Sequence, residues 1–157
     1  MEKYPMTKEG LKALEDELRR LKTEERPAVI QAIATAREHG DLSENAEYDA
    51  AREKQGFIEG RVAELESVIS LAEVIDTSGM TGDTVRFGAT VLLADEDTGE
   101  EVSYRIVGQH EANLEDGKIS VTSPLARALM GKSADDSVEV TTPGGSKAYE
   151  ICEVSYK

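Results

Sequence analysis

Tryptophan is missing from this sequence, phenylalanine occurs only twice, and aromatic residues amount to 4%. A compact core must therefore be assembled from Leu, Ile, Val and Ala. The single cysteine, Cys152, excludes an internal disulfide and fits a reducing compartment. Positive charge is scarce, with 18 Lys and Arg against 32 Asp and Glu and a net charge of −14. Sequence-independent binding to free DNA or RNA needs clustered bases, so that class is disfavoured. A partner protein with a basic entrance remains compatible. No apolar run is long enough to span a membrane, and Met1 to Gly10 lacks the apolar core of a signal peptide. The expected location is the cytoplasm. Hydrophobic residues at 39% and charged residues at 32% mark a globular, well-solvated chain, and 157 residues suit one domain or two small ones.

The chain changes its pattern near Asp76. From Thr7 to Ile75 it reads as helix with one interruption. Leu11, Leu14, Leu18 and Leu21 follow the three-four spacing of a coiled-coil seam, which thins to Val29, Ala32, Ile33 and Ala36. Ile58, Val62, Leu65, Ile69 and Ala72 repeat the spacing in a second helix. Thr7 is placed to cap the first helix, with Glu9 favourable in its first turn. Pro27 removes one backbone bond inside that helix and predicts a bend. The interruption, Gly40-Asp41-Leu42-Ser43, is so short that the helices must fold back antiparallel. At about 1.5 Å per residue, a helix from Lys8 to His39 reaches roughly 48 Å. The small residues Ala32, Ala36, Ala46 and Ala50 predict close packing toward the turn.

After Asp76 the pattern is that of strands and turns. Val85 to Leu93 and Val102 to Val107 are β-rich runs joined by the turn from Asp95 to Gly99. Ser123 and Pro124 start a short helix that Gly131 ends. Val138 and Val140, the Pro143-Gly144-Gly145 turn, and Tyr149, Ile151 and Val154 form a further hairpin. The reading is α+β: a helical hairpin over residues 1–75 and a compact β-rich domain over 76–157.

Two readings compete at the tip. Asp41 with Glu44 three residues later is an Asp version of a capping box, and acids suit a helix N-terminus in any case. Alternatively, Asp41 and Glu44 project as paired carboxylates able to hold a hard divalent cation. Mg²⁺ takes only one or two protein carboxylates and fills its shell with water and phosphate, so such a pair can complete a site inside a partner. Arg37 and Arg52 lie near the same end. They either offset helix dipoles and neighbouring acids or touch phosphates presented to the tip.

The segment GDLSENAEYDAAREKQGFIEGR, from Gly40 to Arg61, resembles the bacterial Gre transcript-cleavage factors. So do the opening YPMTKEGLKALEDEL, the approach ERPAVIQAIATAREHGD, and the later SPLARALMGK and TPGG stretches, so the similarity runs nearly end to end. It implies an antiparallel coiled-coil hairpin followed by a domain of FK506-binding-protein-like (FKBP-like) fold. It also implies a partner, bacterial RNA polymerase with a backtracked nascent RNA 3′ end, whose secondary channel the hairpin enters while the globular domain docks at the rim. By the same resemblance Asp41 and Glu44 help hold a second Mg²⁺ that is shared with the polymerase. Arg37 and Arg52 then contact RNA, and Gly40, Leu42, Ser43, Asn45 and Tyr48 support the tip. Family members can carry Lys at the position of Ser43, so one positive charge near the RNA path is absent here. The protein would activate cleavage by the polymerase without being an enzyme itself. An inhibitory homologue occupying the same channel, or a coiled-coil adaptor without metal chemistry, are the rival readings. Prolyl isomerase activity is not expected, because that chemistry uses an aromatic-lined pocket. His39 and His110 read as surface residues.

Overall fold

The computed structural model describes residues 2–39 and 45–156. It divides into two compact units, Leu11–Leu71 and a second made of Met1–Gly10 with Ala72–Lys157. The first unit is helical. Helix α1 (Lys8–Arg20), which begins in the other unit, runs through a π-helical turn (Leu21–Glu25) into α2 (Arg26–Glu38), and α3 (Ala46–Ser70) returns. The bonded pairs show the antiparallel sense, since Lys22 meets Glu66, Arg26 meets Glu59 and Ala36 meets Asn45.

The π turn is the structure's answer to Pro27. A proline ring inside an α-helix collides with the carbonyl four residues back and leaves it without a donor. Here Arg26 N–H bonds back to the Leu21 carbonyl, five residues away, and the helix continues.

The buried stripe is narrower than the sequence suggests. Leu14, Leu21, Val29, Ile33 and Ala36 face Ala51, Ile58, Val62, Leu65 and Val68, whereas Ala32, Ala46 and Ala50 are exposed. Helical spacing alone cannot separate Ala50 from Ala51; only contact with the partner helix can. Each fully buried Leu or Val contributes roughly 1.5–3 kcal/mol. Ion pairs border the stripe. Arg26 grips Glu59 through two bonds of 2.7 and 2.8 Å, and Arg61 does the same to Glu17 while also reaching Glu64.

In the second unit, β1 (Tyr4–Met6) lies parallel to β2 (Ala72–Val74). The expected boundary at residue 75 therefore shifts. Residues 1–10 and 72–75 belong with the β-rich part, and the second helix stops at Ser70. The main sheet has the order β5-β4-β3-β7-β6, from β3 (Thr90–Asp95), β4 (Glu101–Val107), β5 (Lys118–Ser120), β6 (Ser137–Thr142) and β7 (Gly145–Ser155). Helix α4 (Pro124–Leu129) sets Ala126 and Leu129 into a core with Val91, Leu93, Ile106 and Ile151. Ser123 caps it by accepting a bond from Ala126 N–H, and Gly131 follows at φ 82°.

The strand expected from Val85 begins only at Thr90. Gly88 has φ 89°, and a side chain there would press into Thr77, so the chain turns at Gly88 and regular strand pairing starts only after it. A bulge displaces β7 against β3, where Leu92 faces Glu153 and Leu93 faces Ile151, leaving Cys152 as the extra residue. That explains why Ile151 and Val154, three apart, both turn toward the core.

One carboxylate ties the start of α1 to a distant loop. Glu111 accepts bonds from Thr7 N–H at 2.8 Å, from the Thr7 hydroxyl and from Gly108 N–H at 2.9 Å. Thr7 Oγ in turn accepts from Gly10 N–H at 3.0 Å, so it caps α1 as its sequence position indicates. Side chains at Gly10 or Gly108 would strike the Glu111 carboxylate or the Pro5 carbonyl. His110, read as an isolated surface residue, packs edge-on against the Tyr4 ring with centroids 4.5 Å apart.

Glu111→Ala should destabilise the fold by about 2–3 kcal/mol, because two backbone donors lose their acceptor; urea unfolding monitored by circular dichroism measures this. A second expectation concerns acid. Arg61 hydrogen-bonds the charged form of Glu17 and holds that carboxyl below its ordinary value of 4.5. A carboxyl lowered in the folded state contributes stability that is complete at neutral pH and fades as pH falls from 4.5 through the folded value. Arg61→Ala should flatten this acid-side slope and cost about 1 kcal/mol or less at neutral pH, as read from melts between neutral and acidic buffers.

Candidate functional site

The two helix ends that frame the tip have opposite needs. The last turn of α2 leaves carbonyls without donors, and the first turn of α3 leaves N–H groups without acceptors. Asn45 serves both. Its Oδ1 accepts from Tyr48 N–H at 3.0 Å, and its Nδ2 donates to the Ala36 carbonyl at 2.7 Å. Asn45 is thus the N-cap of α3, with extended backbone at φ −92° and ψ 96°. The capping box read at Asp41 and Glu44 falls on residues outside the described ones; the described cap of α3 is Asn45, with Tyr48 at the third helical position. Sequence reasoning placed Asn45 only as tip support. The visible signal was an Asn immediately before a run of helix formers, with acids following in the first turn.

Gly40, Asp41, Leu42, Ser43 and Glu44 lie outside the described residues. The other predicted site residues are described and brought together. Arg37, in the last turn of α2, stands over the Tyr48 ring with its guanidinium carbon 6.0 Å from the centroid. Arg37 and Arg52 line one open hollow of about 230 Å³, together with Ile30, Ile33, Ala34 and Gln55. Two guanidinium groups at the rim of a partly apolar hollow suit phosphate oxygens flanking an apolar or aromatic group. His39 ends α2, and its Nδ1 lies 3.9 Å from Glu47, a pair that is ionic only when the imidazole is protonated. Glu47 and Asp49 sit in the first turn of α3, where acids complement the helix dipole.

Among the described residues, no three His, Cys, Asp or Glu side chains converge on a point that could hold a metal ion. A larger hollow of about 590 Å³ lies in the β-rich unit, bordered by Lys8, Glu9, Ile75, Asp76, Arg105 and Tyr156. Its charges are mixed, and Asp76 is occupied by Ser78, whose hydroxyl and N–H hold the carboxyl below its ordinary range. The Cys152 thiol is pushed up, first by burial and then by nearby Glu101, Glu150 and Asp135, so it is a poor nucleophile. No described helix is long and apolar enough to cross a membrane.

Comparison with known proteins matches both halves of the chain. Residues 4–74 match the family model described as transcription elongation factor, N-terminal, and residues 80–156 match transcription elongation factor, GreA/GreB, C-terminal. A protein of Phenylobacterium zucineum named transcription elongation factor GreA is 64% identical over 156 residues, covering 99% of each chain. One of the same name from Acidiphilium cryptum is 63% identical with the same coverage. The crystal structure of GreA factor homolog 1 (Gfh1) of Thermus thermophilus is 27% identical, covers 97% of this chain and 98% of its own, and gives a TM-score of 0.44. With both family models matched along the chain and relatives this similar over their whole length, the chain belongs to the GreA/GreB family of transcription elongation factors.

Proposed function

We propose that this factor stimulates RNA polymerase to cleave backtracked nascent RNA, with the helical hairpin entering the secondary channel and the β-rich unit docking at its rim. The polymerase performs the cleavage; this chain donates side chains to it. The observation that carries the proposal is the identity of 63–64% over 156 residues to factors named GreA, joined to an intact GDLSENAEY tip. The intact acidic pair also favours stimulation over the inhibitory role of a homologue that only blocks the channel.

Asp41 and Glu44 are the residues that would hold Mg²⁺ in the complex. Their chemistry fits, since carboxylates are the hard oxygen donors this ion prefers, and it accepts one or two of them. When bound, Mg²⁺ supplies the charge neutralisation and activated water that phosphodiester hydrolysis requires. The N-cap supports this assignment from the other side. Because Asn45 caps α3, the helix does not need Asp41 or Glu44 to begin. Arg37 and Arg52, which line one hollow, would hold phosphates of the extruded strand, a reading their shared position supports. Ser43 adds no charge to that path.

In stalled, backtracked polymerase complexes, Asp41→Asn and Glu44→Gln should each lower stimulated cleavage at least about tenfold, the loss of a charged Mg²⁺ ligand. Thermal stability and polymerase binding should stay near wild type, and added Mg²⁺ should restore part of the activity. Full cleavage by the double variant at ordinary Mg²⁺ would refute the assignment. Asn45→Asp provides the contrast: it keeps an acceptor for Tyr48 N–H but loses the donor to Ala36. It should destabilise the hairpin by about 1–2 kcal/mol, read from thermal melts. Replacing Arg37 and Arg52 with Ala should weaken cleavage mainly where RNA is extruded, with little change in melting. Equal loss in all complexes together with a lowered melting temperature would show those residues to be structural.

A further inference from the structure

Tyr48 occupies a position whose neighbours ask for its backbone but not for its ring. The cap of α3 reaches it through the main chain, with Asn45 Oδ1 accepting from Tyr48 N–H at 3.0 Å, so any residue but proline would complete that bond. The apolar stripe does not need the ring either. Its buried residues nearest the tip are Ala36 and Ala51, while Tyr48 is half-buried. Aromatic residues are only 4% of this chain, so a tyrosine that neither fills the core nor serves the cap calls for another explanation. Its ring lies under Arg37, whose guanidinium carbon is 6.0 Å from the centroid, within cation–π range. The contact crosses from the last turn of α2 to the first turn of α3. The same Arg37 lines the hollow it shares with Arg52. Arg37 is exposed, and an arginine on a surface samples many rotamers that it gives up when it grips a ligand. A ring anchored at its own backbone and set beneath the guanidinium removes part of that freedom in advance.

We propose that Tyr48 is a positioning residue, whose ring holds the Arg37 guanidinium in the hollow shared with Arg52, already oriented for the phosphates of extruded RNA. This rests on the reading of Arg37 and Arg52 as phosphate contacts. Tyr48 itself touches neither the RNA nor the reacting atoms and acts only through Arg37. Asn45 belongs to the same chain of positioning. Its bonds to Tyr48 N–H and to the Ala36 carbonyl set the two helix ends across which ring and guanidinium meet. The face of the ring carries the effect and the hydroxyl does not, because a cation is drawn to the quadrupole of the π-system.

The test reads stimulated cleavage against factor concentration in stalled polymerase complexes with extruded RNA. Binding to core enzyme without RNA and melting of the free factor are measured beside it, all on the full-length chain. Tyr48→Leu removes the π-face and keeps apolar bulk. It should raise the factor concentration for half-maximal cleavage about three- to tenfold. The maximal rate, the RNA-free binding and the melting temperature should stay near wild type. Tyr48→Phe keeps the face and should restore the wild-type curve. In an Arg37→Ala background Tyr48→Leu should cost nothing further, because the residue it acts through is gone. Equal losses from Tyr48→Leu with and without Arg37 would make Tyr48 an independent contact and overturn the proposal. A loss with Tyr48→Phe as large as with Tyr48→Leu would assign the role to the hydroxyl. A lowered melting temperature with loss in every complex would make the ring structural; either outcome overturns the proposal as well. If Arg37→Ala leaves cleavage of extruded complexes intact, the phosphate reading beneath the proposal has failed and the proposal falls with it. If Arg37→Ala impairs cleavage and Tyr48→Leu does not, the positioning role alone has failed.

Discussion

An asparagine side chain carries one donor group and one acceptor group on the same short stem, and the described end of the hairpin is organised around that fact. Ala36 offers a carbonyl at the end of α2, and Tyr48 offers an N–H in the first turn of α3. Aspartate accepts but cannot donate when ionised, serine reaches less far, and glutamine pays more conformational entropy to hold one geometry. Asn45 therefore joins two helix ends, adding a second donor to the Ala36 carbonyl that already accepts from His39 N–H. The Arg26–Glu59 and Lys22–Glu66 pairs lie farther down the hairpin, at half-exposed positions where such contacts are individually modest. They select the pairing of the helices; the apolar stripe between them supplies most of the favourable energy.

The β-rich unit depends on an acceptor used in a comparable way. Glu111 gathers donors from Thr7 and Gly108, two points far apart in sequence, and the Tyr4–His110 ring contact lies beside it. Glycine at 10 and at 108 is the steric condition for this arrangement. The first ten residues are drawn into the sheet-bearing unit by this carboxylate and by the β1–β2 pairing, even though the sequence introduces them as the lead into a helix.

Features decided within a few residues were legible in the sequence. Thr7 and Ser123 as caps, Gly131 after α4, the turn ending at Gly99 and the β6–β7 hairpin all follow from local backbone preference. Features decided by a distant partner were not. The choice of Ala51 over Ala50 and of Val68 over Ile69 for the stripe depends on how the other helix approaches. The β1–β2 pair joins residues nearly seventy positions apart, with three-residue strands too short to carry a pattern. Gly88 breaks the Val85 to Leu93 run with its φ of 89°, and Thr77, from a distant segment, leaves no room for a side chain there. In β7 the alternation of Tyr149 and Ile151 slips at Val154, and the slip is itself the trace of the bulge at Cys152. At the tip, the sequence located the chemistry by its acids and its family resemblance, while the residue that caps α3 became evident only from its two bonds.

The π turn from Leu21 to Glu25 also resolves a problem of phase. Leu14 and Leu21 are seven residues apart, as are Val29 and Ala36, but Leu21 and Val29 are eight apart. At about 100° per residue, an unbroken α-helix would leave Leu21 and Val29 roughly 80° out of line. A wider turn absorbs the surplus residue and returns the stripe to the same side. The segment thus has the form of a one-residue insertion accommodated in place. The hairpin is two phase-locked blocks joined by a spacer, and the side on which Arg37 emerges is set sixteen residues upstream, where that spacer begins.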